Sequence, residues 1–82
     1  MLKGKKIVFT GGLKKMPRHK AEDAVYKHGG TVTNHVTRST DILIIADDAL
    51  MGSKFLKAIE IAESGGKIRL MRESDFYAEI GK

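Results

Sequence analysis

Two short apolar runs, Ile7-Val8-Phe9 and Ile42-Leu43-Ile44-Ile45-Ala46, constrain this chain more than any other feature. Neither alternates apolar with polar residues. A strand with one wet face alternates, so continuous runs fit strands covered on both faces, as in a parallel sheet with helices on each side. The intervening segments fit helices. After Pro17, which suits a first helical turn, Ala21, Ala24, Val25 and His28 fall at i, i+3, i+4 and i+7 and form one helical stripe. Ser53 reads as the N-cap of a second stripe, Phe55, Ala58, Ile59 and Ala62. Glycine pairs, Gly29-Gly30 and Gly65-Gly66, close the two stripes, because glycine tolerates the left-handed position after a helix.

Thr31-Val32-Thr33 and Lys67 to Met71 supply two further strands. Asn34 to Thr40 and Asp47 to Gly52 read as loops, and Glu73-Ser74-Asp75 opens a last short helix that carries Phe76, Tyr77 and Ile80 inward. The order β-α-β-β-α-β-α predicts an α/β fold, a four-stranded parallel sheet flanked by three helices. The 82 residues read as one domain, 1–82, near the small end of what folds without staples.

Several function classes are disfavoured. With no cysteine there is neither disulfide nor thiolate metal site, which fits a reducing, cytoplasmic setting. The longest apolar run is far short of the ~20 residues of a membrane helix, and the first residues lack the apolar stretch of a signal peptide. Gly11-Gly12 is not followed by the later glycine and GK[ST] of a P-loop, and no G-x-G-x-x-G is present. His19, His28 and His35 are scattered rather than at metal-ligand spacing. Asp47-Asp48 reads as a solvated pair, and no Ser or Thr has a visible base. The expectation is a binding module with no catalytic residue, metal or cofactor.

Charge indicates what is bound. Seven Lys/Arg and no acid lie in residues 1–20, which against a total of +5 leaves residues 21–82 at −2. A basic first quarter on a mildly acidic body suits a polyanion, although lysines also serve solubility. Within it, the first apolar run stops in Thr10-Gly11-Gly12, with Lys14, Lys15 and Arg18 following. A turn with open amides beside a cluster of cations fits a phosphate. In a parallel sheet, strand ends and helix starts share one edge, so Thr10, Gly11, Arg18 and Lys54 are expected to meet there. Arg18 and Lys54 stand in first helical turns, where the dipole disfavours cations, and that misfit points to an anion beside them.

The series Thr10-Gly11, Arg18, Gly29-Gly30, Thr40-Asp41-Ile42-Leu43-Ile44, Gly52-Ser53-Lys54, Ala58 and Ser74-Asp75-Phe76 resembles a BRCT domain from about Leu2 to Ile80. The likeness is nearest to the subgroup of bacterial NAD-dependent DNA ligases and the large subunit of clamp loaders. Many members carry a tryptophan where this chain has Phe76; another aromatic there agrees with the ligase-like subgroup. The resemblance implies a phosphate held by the Thr10 hydroxyl, the Gly11 amide, Lys54 and, as in DNA-end binders, Arg18. It implies fold-determining roles for Gly29-Gly30, Thr40 and Phe76.

Three functions remain open at this level. In the first, the domain binds a 5′-phosphorylated DNA end or nick, with Lys5, Gly12, Lys14, Lys15, His19 and Lys20 along the DNA backbone. In the second it is a phosphopeptide- or protein-interaction module, with Ala49-Leu50-Met51 as a possible apolar face. In the third it is an appendage that only stabilises a fold. The first is favoured by the basic segment and Arg18. The sequence does not decide whether the chain stands alone or is part of a larger enzyme.

Overall fold

The computed structural model describes residues 2–11, 13–46 and 52–81. Along them run β1 (Lys6–Thr10), α1 (Arg18–Lys27), β2 (Thr31–Val32), β3 (Ile42–Ile45), α2 (Ser53–Glu63), β4 (Arg69–Arg72) and α3 (Glu73–Glu79). The four strands form one parallel sheet in the order β2-β1-β3-β4. The two apolar runs are its central pair, aligned from Ile7 opposite Ile42 to Thr10 opposite Ile45.

Strand alternation divides those runs between two cores. Ile7, Phe9, Ile42 and Ile44 point to the layer containing Ala21 and Val25 of α1 and Phe76 and Tyr77 of α3. Val8, Leu43 and Ile45 point the other way, to Ala58 and Ile61 of α2 with Val36 and Ile68. Both faces are therefore dry, which is why the runs are continuous. From the β1–β3 centre the chain winds outward in opposite senses, through α1 to β2 and through α2 to β4. The sheet's topological switch point thus lies between the C-terminal ends of β1 and β3, where open α/β sheets place ligands.

Both glycine pairs close their helices as expected. Gly29, at φ +85°, and Gly30 donate to the carbonyls of Tyr26 and Val25 at 3.0 and 2.9 Å, a Schellman ending. A Cβ on Gly30 would lie 2.8 Å from Val25 Cγ1 and 2.9 Å from the Leu2 carbonyl oxygen, so the position also needs glycine for space.

Some boundaries and faces differ from expectation. Gly52, not Ser53, occupies the N-cap of α2, because the helix already includes Ser53. His28 is exposed, since it is the C-cap of α1 and lies past the stripe's last turn. Ala62 is exposed and Ile61 takes its place, so the bulkier side chain one position earlier meets the sheet. The second strand ends at Val32, and the last runs over Arg69–Arg72 as an exposed edge rather than Lys67 to Met71. Asp47-Asp48, Ala49-Leu50-Met51 and Gly12 lie outside the described residues.

At the sheet's N-terminal edge, Asp41 joins three segments. Its Oδ2 accepts from the Lys6 N–H at 2.8 Å, and its Oδ1 lies 3.2 Å from the Lys67 ammonium. The Lys6 amide above all, helped by Lys67, holds this carboxyl below its usual range against the opposing effect of burial. A depressed folded-state pKa contributes stability above the unfolded pKa of about 3.9 and loses it as pH falls through the folded value. Acid titration followed by circular dichroism should therefore show the parent losing more stability below about pH 4 than Asp41→Asn, which keeps an acceptor for Lys6 but does not titrate.

Candidate functional site

The β1 ladder runs out at the switch point. Thr10 is its last residue, only 6% exposed, and its carbonyl accepts from the Ala46 N–H at 3.1 Å. Gly11 follows, exposed, at φ +81°, a left-handed value that glycine adopts without strain. The turn therefore both needs glycine conformationally and leaves the backbone open.

Two cations from different helices bracket this turn. Arg18, the first residue of α1, donates from Nη2 to the Gly11 carbonyl at 2.9 Å, and its guanidinium carbon stands 5.4 Å from the centroid of the Phe9 ring. Lys54, in the first turn of α2, donates from Nζ to the Phe9 carbonyl at 3.1 Å. The four residues expected to share an edge therefore do so, with one cation anchored on either side of Thr10. Lysine keeps two further N–H donors and arginine keeps several, so neither cation is spent by these bonds. The Arg18 Nε is buried with no hydrogen-bond partner among the described residues.

The helix starts add to the positive character. Neither α1 nor α2 has an acid in its first turn or a side-chain cap, so both present open backbone N–H groups at the dipole's positive end. The start of α3 differs, with Glu73 and Asp75 in its first turn. The edge is thus cationic around β1, whereas the start of α3 carries two acids beside Arg72.

The other basic residues separate into two groups. Lys14 and Lys15 lie on the loop from the turn to α1, and His19 and Lys20 in the first turn of that helix, all exposed. Lys15 and Lys20 also line a groove of about 540 Å³ with Asp23, Lys27 and His28. Lys5 is elsewhere. It precedes β1 and borders a different groove with Asp41 and Lys67. At about 3.3 Å per residue, the strand sets it roughly 16 Å from Thr10.

Glu73 and Tyr77 were read from the sequence only as a helix start and a core aromatic. In the structure they touch the loop. Glu73 Oε2 accepts from the Lys14 N–H at 3.0 Å, and the Tyr77 hydroxyl oxygen accepts from the Lys15 N–H at 3.0 Å. A spacing of four within one helix was visible in the letters, but partners some sixty residues away were not. Among the described residues no three His, Asp or Glu are grouped as a metal site, and no helix is long and apolar enough to cross a membrane.

Known proteins resemble the chain over most of its length. The family described as the BRCA1 C Terminus (BRCT) domain matches residues 1–78. The chain is similar to the DNA ligase of Chlamydia caviae, 43% identical over 72 residues, which is 88% of this chain and 10% of the ligase. The DNA ligase of Nitratidesulfovibrio vulgaris is 38% identical over 79 residues, 96% of this chain and 9% of that protein. That of Brucella ovis is 32% identical over 81 residues, 99% and 10% of the two chains. The chain thus spans about a tenth of the length of the curated relatives it matches.

Proposed function

The chain belongs to the BRCT family, the non-catalytic part of the larger DNA ligases it matches, and on that premise we propose that it is a DNA-binding module of replication or repair. Its ligand is a phosphate, that of a 5′-phosphorylated DNA end or nick, bound at the turn after β1. The observation that carries this reading is the convergence of Arg18 and Lys54 on the carbonyls of Gly11 and Phe9, either side of Thr10. Among the described residues neither cation has an acidic partner there and a buried Arg18 donor has no hydrogen-bond partner, and both cations stand where a helix dipole disfavours them. An anion beside the turn answers the unbalanced charge and the dipole misfit.

In this reading the Thr10 hydroxyl, the Gly11 N–H and the two cations share the acceptor oxygens of one phosphate. Lys14, Lys15, His19 and Lys20, with Gly12 beside them in the sequence, extend contact along the DNA backbone. Lys5 lies too far from the turn to share that phosphate and serves only a longer stretch of duplex. Phosphate contacts fix position rather than sequence, so sequence preference is slight.

Fluorescence anisotropy on one labelled duplex, with and without a 5′-phosphate, tests this across a salt series. The phosphorylated duplex binds more tightly, and log K falls by about 0.9 per phosphate neutralised for each tenfold rise in salt. Equal affinity for the two ends would turn attention to the second reading, a phosphopeptide or protein partner.

A further inference from the structure

We propose that Glu73 and Tyr77 of α3 are positioning residues for the phosphate-binding turn. They hold the backbone of the β1–α1 loop and so set its affinity for a terminal phosphate. This rests on the phosphate reading above and adds a third helix to that site.

The contacts link the loop to one helix. Glu73 is buried, 3% exposed, and its Oε2 accepts both from the Lys14 N–H at 3.0 Å and from the Tyr77 O–H at 2.7 Å. The Tyr77 oxygen in turn accepts from the Lys15 N–H at 3.0 Å. Two consecutive loop amides are thus fixed by residues one turn apart on one helix. The same helix supports the cations. The Lys15 ammonium lies 5.2 Å from the centroid of the Tyr77 ring, Tyr77 adjoins Phe76, and Phe76 meets Phe9 edge-on at 5.4 Å. The Arg18 guanidinium stands over that Phe9.

Electrostatics alone would not place a carboxylate here, since its charge opposes an anion held by the neighbouring loop. The tether gives it a reason. Residues 11 and 13–17 have no regular structure, and a loop that must order itself around a ligand loses affinity to conformational entropy. Fixing Lys14 and Lys15 beforehand removes part of that loss.

The test uses Tyr77→Phe, which keeps the ring and deletes its oxygen, with Glu73→Ala and Glu73→Gln beside it. The readout is the ratio of affinities for 5′-phosphorylated and unphosphorylated duplex, with amide hydrogen exchange at Lys14 and Lys15. Tyr77→Phe and Glu73→Ala lower the ratio about fivefold, as expected for one lost hydrogen bond, and both amides exchange faster. Glu73→Gln, which retains an acceptor oxygen, keeps the ratio within about twofold of the parent. A tether that only stabilises the fold lowers the folded fraction, which scales both affinities alike and leaves their ratio unchanged. An unchanged ratio in Tyr77→Phe therefore overturns the proposal while the phosphate site stands. A parent without end discrimination overturns both.

Discussion

Replacing Lys54 by glutamate is expected to weaken binding of a 5′-phosphorylated duplex roughly 10- to 100-fold, the equivalent of a lost hydrogen bond to a charged group worth about 1.5–3 kcal/mol. Stability should move little or in the opposite direction. Lys54 lies in the first turn of α2, with one hydrogen bond to the Phe9 carbonyl. A carboxylate in a first helical turn is favoured by the dipole by about 0.3–1 kcal/mol, which offsets that bond. The signature is a variant that melts no lower than its parent yet no longer prefers the phosphorylated end. Anisotropy and thermal melts on the same preparation read both quantities. Unchanged end preference would remove Lys54 from the site.

The second large effect is on the fold. Phe76 is fully buried in the core beneath α1 and α3, edge-on to Phe9. Truncating such a ring to alanine costs about 3–5 kcal/mol through lost burial and the cavity left behind. A domain of this size has about 4–12 kcal/mol in total at the usual stability per residue, so Phe76→Ala removes a large share of it. Urea unfolding should show the midpoint falling with little change in slope, as for a loss of stability alone. A loss below about 1 kcal/mol would mean that the core closes over the gap.

The central strands were legible because burial on both faces leaves a plain mark, the continuous runs at Ile7 and Ile42. The glycine pairs were legible because their left-handed ends need that residue. The misassigned positions lie where a single turn of helix decides. His28 continues the stripe on paper but caps the helix, and Ile61 rather than Ala62 meets the sheet. The order of the strands was not legible, since nothing local in β2 or β4 says which side of the central pair it takes. That order is what makes the end of β1 a switch point.

The same contrast holds for the site. Thr10, Gly11, Arg18 and Lys54 could be grouped from the letters because strand ends and helix starts of a parallel sheet share an edge. Glu73 and Tyr77 could not, because their contacts are with Lys14 and Lys15, 59 and 62 residues away. The basic first quarter looks like one patch when read as a line. The β1 strand runs through it and carries Lys5 to the opposite edge from Lys14, Lys15 and Lys20.

The most direct measurement is an NMR titration of the ¹⁵N-labelled chain with a short duplex, first 5′-phosphorylated and then treated with phosphatase. The account predicts that the amides of Thr10, Gly11, Arg18 and Lys54 shift with the phosphorylated duplex and largely return when the phosphate is removed, while the exposed lysines of the loop and α1 respond to both. Identical shifts with the two duplexes, or shifts confined to residues away from the end of β1, would contradict it.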